Sequence, residues 1–151
     1  MNKSTFPLAE PVYLGKRVRD FSPFAAALAA LPPDLLAGIH TKVTGKSIPA
    51  LQELFGSGQL SAEQLLLYYV DRIRRFDVDK LNSVMELNPA ALASARRADA
   101  ERAAGSSGGL LHGIPVLLKD NVATGDGMHT AAGSGVLRNW QSDKDAALVA
   151  A

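Results

Sequence analysis

The stretch that decides the fold runs HGIPVLLKDNVATGDGMHTAAGSG, from His112 to Gly135. An almost uninterrupted apolar run, formed by Ile114, Val116, Leu117 and Leu118, ends at Lys119. Such a run predicts a strand that is buried on both faces, as in α/β sheets. Ligands collect beyond the carboxyl ends of strands in these sheets. Lys119 therefore stands where a functional side chain is expected.

Helix and strand signals precede this run. Ser47 is predicted to cap a short helix that ends near Gly56, and Ser61 with Gln64 forms a capping box for the next helix. The apolar stripe of that second helix is predicted to contain Leu66, Tyr69, Val70, Ile73 and Phe76.

A strand is predicted at 81–87, followed by an alanine-rich helix. Asn88 and Pro89 supply its N-cap and first residue, and the helix is expected to reach about Ala104, with Gly105 just past its end. The order helix, helix, strand, helix, strand predicts an α/β fold.

The two ends of the chain differ in character. Residues 1–46 are predicted to be an irregular N-terminal extension with short helices at 24–31 and 33–39 and a linker at 38–46, and residues 47–151 form the main domain. At the other end, Ser142 and Asp145 predict a helix that remains apolar to Ala151 with no stop signal. We therefore expect the chain to be truncated there.

Composition excludes several classes of protein. The 151 residues carry 16 Lys+Arg and 15 Asp+Glu, so a net charge of +1 does not favour nucleic-acid binding. The absence of cysteine excludes disulfides and thiolate metal sites. The apolar run at 24–31 is too short to span a membrane and lacks a cleavage site, so we expect a cytoplasmic chain without a membrane anchor.

Other motifs carry less information. The segment 105–109, GSSGG, matches the G-x-S-x-G sequence pattern of a nucleophile elbow. An elbow needs a strand before it and a helix after it, whereas here a helix is predicted before the segment and a strand after it. His40, His112 and His129 show no metal-ligand spacing, and Gly125 and Gly127 lack the third glycine of a dinucleotide motif. No metal and no cofactor is predicted.

Lys119 has two interpretations on residue type alone. The common one is a solvated side chain at the end of a strand. The functional one is a general base, because burial favours the neutral amine, which can take the proton of a hydroxyl nucleophile.

A resemblance favours the second interpretation. Residues 111–121, LHGIPVLLKDN, and 128–134, MHTAAGS, resemble the first half of the core motif of the amidase signature family. Upstream segments resemble that family's N-terminal helices and first strand: SAE at 61–63, YVDRI at 69–73, LNSV at 81–84, ELNPA at 86–90 and DAER at 99–102. The resemblance covers about residues 47–151 and does not extend to residues 1–46.

The resemblance implies a mixed sheet core flanked by helices and a Ser–cis-Ser–Lys triad. Lys119 would be its lysine, the only catalytic residue assigned here, with Asp120 and Asn121 supporting the lysine strand. Ser134 would lie in a loop beside the pocket without a catalytic role. The bridging and nucleophilic serines would lie beyond Ala151, and Ser106 and Ser107 do not replace them because they precede the lysine.

Two classes of function follow. In the first, the chain is the N-terminal part of an amidase that cleaves the C–N bond of a small-molecule carboxamide, inactive alone because it lacks the nucleophile. A variant of this class is the glutaminase subunit of a tRNA-dependent amidotransferase. In the second, the chain is a truncated, non-catalytic product. The sequence leaves the amide substrate and any homo-oligomer open.

Overall fold

The computed structural model describes residues 19–106 and 108–150, which form two compact units. The helical unit is Arg19–Lys119, and the described residues 120–150 form the C-terminal unit. The elements are a 3₁₀ turn at Ser22–Phe24, α1 (Ala25–Ala30), α2 (Pro33–Val43), α3 (Ile48–Gly56), α4 (Ala62–Arg72), a π-helical segment (Ile73–Leu81), α5 (Ala91–Ala103) and α6 (Ala147–Ala150).

Helix α4 begins at the predicted capping box. The Ser61 hydroxyl accepts a hydrogen bond from the Gln64 N–H at 3.0 Å, and the Gln64 side chain accepts one from the Ser61 N–H at 3.1 Å. The Asp99 carboxylate of α5 then accepts the N–H groups of Ala62 and Glu63, at 2.7 and 3.0 Å. The N-terminal amides of α4, which have no partner within the helix, are satisfied in this way.

The core of the helical unit surrounds α4. This helix packs against α1, α2 and α5, and its buried residues include Leu65, Leu66, Leu67, Tyr68 and Val70. The predicted stripe is therefore only partly correct, since Tyr69 is 38% and Phe76 47% exposed. A helix covered on several sides buries a wider face than one apolar stripe.

The predicted short helices are confirmed at 25–30 and 33–43, on either side of the proline pair. The predicted linker is partly wrong, because α2 continues to Val43, where Ile39 and Val43, one turn apart, are both buried. No single helix among residues 19–106 and 108–150 is long and apolar enough to cross a membrane, although Ser22–Ala30 and Pro33–Val43 meet that criterion when combined across a 98° bend.

Both ends of α5 can be compared with the prediction. The helix begins at Ala91, two residues later than Pro89 suggested, and the Asn88 side chain accepts the Ala90 N–H at 2.8 Å in the preceding turn. Gly105 follows the helix as predicted, with φ +80°. The Gly105 N–H donates to the Arg102 carbonyl and the Ser106 N–H to the Glu101 carbonyl, which is a Schellman ending.

The predicted strand at 81–87 is not formed. Its first residue ends the segment Ile73–Leu81 instead, which is interrupted by non-helical backbone at Val78 and Asp79, and the chain then turns through Asn82, whose φ is +52°. A buried carboxylate organises this turn: Asp77 accepts the N–H groups of Ser83 at 2.7 Å and Val84 at 3.2 Å, and it forms an ion pair with Arg19. Burial by itself raises the pKa of Asp77, but the bonds from Ser83 and Val84 and the Arg19 charge together hold that pKa below its ordinary value.

The mixed sheet core is likewise not found in the part of the chain that the structure describes. Residues 114–118 form no strand, and Val116, Leu117 and Leu118 are 59%, 75% and 44% exposed. A strand requires a partner for its main-chain groups, and the described residues provide only an isolated antiparallel bridge between His129 and Gln141. The last predicted helix also starts later, at Ala147, while Ser142 bonds locally with Lys144.

Candidate functional site

Lys119 is the last residue of the helical unit, and its side chain is exposed. The expectation that it would lie at the end of a buried strand is therefore not met. The physical reason lies in the preceding run. Among residues 19–106 and 108–150, residues 115–119 have no main-chain hydrogen-bond partner, and no strand packs on their apolar side chains.

The segment that leads to Lys119 is fixed at its beginning. The carbonyl oxygen of His112 accepts two hydrogen bonds, from Nε2 of Gln52 at 3.0 Å and from Nη2 of Arg102 at 2.9 Å. Gln52 lies on α3 and Arg102 on α5. We call these two side chains and the carbonyl that they share the His112 clamp.

Neighbouring contacts reinforce the clamp. Nε2 of Gln52 also donates to the Leu110 carbonyl at 2.8 Å. Nε2 of the His112 ring lies 3.1 Å from the carbonyl oxygen of Ala98. Ile114 packs against the edge of the core. The turn from 108 to 114 is thus attached to the helices through both polar and apolar contacts.

Gly113 allows the turn to approach the helices closely. Its φ is +78°, and a Cβ built there would lie 2.9 Å from the Cβ of Ala62. Ala98 on α5 lies on the same side, 3.6 Å from that position. Both the left-handed backbone and the close approach require glycine here.

Arg102 has an unusual environment. Its guanidinium carbon lies 4.6 Å from the centre of the Phe55 ring, and Nη1 lies 3.6 Å from Asp99. Nη1 is buried without a hydrogen-bond partner in the described part of the structure. The aromatic face and the nearby carboxylate compensate for burying this charge.

Asp120 follows Lys119 and organises the C-terminal unit. Its carboxylate accepts hydrogen bonds from the N–H groups of Ala131 at 3.1 Å and Gly133 at 3.3 Å. Its main-chain carbonyl accepts a hydrogen bond from the N–H group of Ala132 at 2.9 Å. Three successive amides therefore point at one residue. Ala132 has φ +48°, an uncommon conformation for a residue other than glycine, and these bonds hold it there.

The other residues singled out in the sequence have modest roles. Asn121 is exposed, and the half-buried Ser134 donates its N–H to the Ala131 carbonyl at 2.8 Å. Ser106 belongs to the C-terminal turn of α5, so a helix does precede the GSSGG segment, whereas Ser107 lies outside the described residues.

The three histidines lie in different parts of the chain, and the rings of His40 and His112 have hydrogen-bond partners. Nδ1 of His40 lies 2.7 Å from the Tyr68 hydroxyl, and His112 contacts α5 as described above. His129 lies in the isolated bridge with Gln141. Within residues 19–106 and 108–150, no group of three His, Asp or Glu side chains could hold a metal ion.

Gln52 and Arg102 are the residues that sequence reasoning missed. They are separated from His112 by 60 and 10 positions, and neither belongs to a spaced motif. Arg102 lies in the DAER segment that resembles the family, but that segment alone does not indicate that the arginine binds a main-chain carbonyl.

A family model and a solved structure both relate this chain to amidases. The Amidase family model matches residues 64–151. A crystal structure of an amidase family protein from Bacillus anthracis is 36% identical with a TM-score of 0.78, covering 91% of this chain and 27% of that one.

Two curated relatives illustrate the range of names. A Schizosaccharomyces pombe protein provisionally named an amidase is 39% identical over 103 residues, which are 68% of this chain and 18% of that protein. A glutamyl-tRNA(Gln) amidotransferase subunit from Salinispora arenicola is 37% identical over 110 residues, 72% of this chain and 22% of that protein. This chain thus spans about a fifth of the length of the relatives it matches.

Proposed function

This chain belongs to the amidase family, and on that premise we propose that residues 47–151 are the N-terminal part of an amidase domain whose general base is Lys119. The substrate is a small molecule with a linear carboxamide, and the reaction is hydrolysis of its C–N bond through a serine acyl-enzyme. Residues 1–46 are an N-terminal extension of this domain. The proposal concerns a complete amidase protein, of which these residues form one part.

The observation that carries the proposal is the segment LHGIPVLLKDN at 111–121. Within the helical unit, the clamp and Gly113 hold the start of this segment against α3, α4 and α5. The segment therefore leaves a fixed point and reaches Lys119 seven positions later. Fixing a catalytic group relative to its scaffold is a major source of rate enhancement.

The proposed reaction transfers one proton from the nucleophilic serine, by way of Lys119, to the departing nitrogen. The neutral Lys119 amine takes the proton of the nucleophilic serine through the bridging serine, while the serine oxygen forms a bond to the carbonyl carbon. The proton then passes to the departing nitrogen as the C–N bond breaks, and water hydrolyses the ester. A lysine is neutral more readily when buried, so the proposal requires the remainder of the domain to cover the exposed run 116–119.

Replacing Lys119 tests this role. In a chain that joins these residues to the downstream serine segment, Lys119→Ala should lower kcat for amide hydrolysis by about 10²–10⁴-fold, the usual contribution of a general base, while substrate binding remains measurable. Lys144→Ala is the matched control, because Lys144 is an exposed lysine in the C-terminal unit. Equal turnover by both variants would remove Lys119 from the mechanism.

A second assay concerns the chain by itself. The 151 residues should hydrolyse no carboxamide above background, because the proposed nucleophile is not among them. Turnover that co-purifies with this chain and disappears when Ser106 and Ser107 are both replaced by alanine would show that the nucleophile lies here instead.

The names of several relatives favour a second candidate. Glutamyl-tRNA(Gln) amidotransferase subunits from Salinispora arenicola and Renibacterium salmoninarum are each 37% identical over 110 residues. In this alternative, the amide is that of glutamine and the released ammonia is used by a partner protein. Ammonia release from glutamine that is stimulated by such a partner would favour it, whereas partner-independent hydrolysis of simple amides favours the first candidate.

A further inference from the structure

We propose that Gln52 and Arg102 are positioning residues for Lys119, acting through the main-chain carbonyl of His112 that both of them hold. The inference rests on the proposed role of Lys119 as the general base. It adds two residues that lie outside the catalytic motif and that touch no reacting atom.

The two donors fully occupy one acceptor. A carbonyl oxygen has two lone pairs, and the His112 oxygen receives one bond from Gln52 at 3.0 Å and one from Arg102 at 2.9 Å. The bond from the guanidinium is charge-assisted and therefore stronger than a neutral one. Since the donors come from α3 and α5, the carbonyl is fixed relative to two helices rather than one.

The donors are themselves held in place. The Gln52 side-chain oxygen lies 3.4 Å from Nη2 of Arg102, so each donor orients the other. Arg102 is further restrained by the Phe55 ring and by Asp99, which also accepts the first N–H groups of α4. A displacement of the carbonyl would thus disturb a network that includes α3, α4 and α5.

The chain between His112 and Lys119 is suited to transmit this restraint. Pro115 has a fixed φ, and the residue before a proline favours an extended backbone. The clamp, Ile114 at the edge of the core and Pro115 thus restrain residues 112–115, and only three residues, 116–118, lie between this fixed point and Lys119. An error at residue 112 therefore displaces the Lys119 amine, and a misplacement of about 1 Å can cost about 10²-fold in rate.

The kinetic test uses matched variants in the chain that includes the downstream serine segment. Arg102→Met and Gln52→Met should each lower kcat by about 10- to 100-fold with little change in KM, because ground-state binding of the amide is not touched. Arg102→Lys should recover part of the loss, since it restores one charged donor. Arg97→Met is the control, because Arg97 is on the same helix, 73% exposed, and pairs with Glu101.

A second measurement separates this inference from the proposed function. In the 151-residue chain, Gln52→Met and Arg102→Met should accelerate hydrogen exchange of the His112 and Ile114 amides, which donate to Gly109 and Leu111. The Ala131 amide should be unchanged in the same samples. This readout depends on the clamp alone and requires no catalysis.

The outcomes are distinct. Unchanged exchange in both Gln52→Met and Arg102→Met would overturn the clamp itself. Faster exchange with an unchanged kcat, in a chain where Lys119→Ala is inactive, would show a structural role only and overturn the positioning role. If Lys119→Ala retained full turnover, the proposed function would fail, and the positioning role that rests on it would fail with it.

Discussion

The helical unit and the C-terminal unit are each stabilised by a different kind of interaction. In Arg19–Lys119, large apolar side chains are almost completely buried, among them Phe24, Ile39, Leu65 and Leu67. In the described residues 120–150, the buried side chains are small, namely Thr124, Thr130 and Ala131. Three carboxylates there accept main-chain N–H groups instead: Asp120 from Ala131 and Gly133, Asp126 from Met128, and Asp145 from Gly125.

This difference shows how the chain can hold two kinds of structure. Apolar burial stabilises in proportion to the area removed from water, and helices present enough apolar surface on one side to use it. Turns expose many main-chain amides, which need acceptors wherever they are removed from water. Carboxylates satisfy several such amides at once, but their contribution is local.

The largest expected effect is loss of core volume in the helical unit. Leu65 is 0% exposed, so Leu65→Ala should lower the free energy of unfolding by about 2–5 kcal/mol, because it removes apolar contacts and leaves a cavity. Denaturant unfolding followed by helical circular dichroism measures this. Leu81→Ala, at a leucine that is 73% exposed, should change stability by less than about 0.5 kcal/mol. Equal losses would contradict a core centred on α4.

A smaller effect is expected at a buried ion pair that links distant parts of the helical unit. Asp77→Asn keeps the side-chain shape but removes the charge facing Arg19, and it should cost about 1.5–3 kcal/mol, the range for a hydrogen bond to a charged group. Thermal unfolding at pH 7 measures the loss.

The same residue predicts a pH dependence. The pKa of Asp77 is lowered in the folded chain, so its stabilising effect is complete above the unfolded value of about 3.9 and is lost as the pH falls through the lower, folded value. Stability of the wild type should therefore decrease below about pH 4. Asp77→Asn should show a shallower decrease, and identical acid profiles would contradict the assignment.

The smallest effect is expected in the C-terminal unit. Asp120→Asn removes the charge and one of two acceptor oxygens, so the amides of Ala131 and Gly133 should exchange faster, at a cost of about 1 kcal/mol. The midpoint of helix unfolding should stay the same, because this contact is local. Asp143→Asn, at an exposed aspartate of the same unit, is the control. A lowered helix midpoint in Asp120→Asn would erase the distinction between the two units.

The features that were predicted correctly from the sequence each depend on residues that are close together in the chain. Ser61 and Gln64 are three positions apart, and Gly105 ends α5 through bonds to residues within the preceding turn. Such signals depend on the local chain alone and therefore survive any packing. The buried face of α4 was predicted less well, because α1, α2 and α5 decide how many of its sides are covered.

The strand predictions failed for the opposite reason. Hydrophobic patterning at 81–87 and 114–118 favours strands, but a strand forms only against another strand, and the described residues supply none for these segments. The candidate site divides in the same way. Lys119 is proposed from its motif, whereas the contacts of Gln52 and Arg102 become visible only once α3 and α5 are placed beside the His112 carbonyl.

The sequence by itself determined the helix caps, the glycine-terminated α5 and the amidase motif that contains Lys119, because each is written in residues that are close together in the chain. Only the tertiary structure decided that Asp99 caps α4, that Arg19 pairs with Asp77 and that two helices hold the His112 carbonyl. These contacts join residues separated by 10 to 60 positions. Their energies depend on distance and burial, which no local pattern specifies.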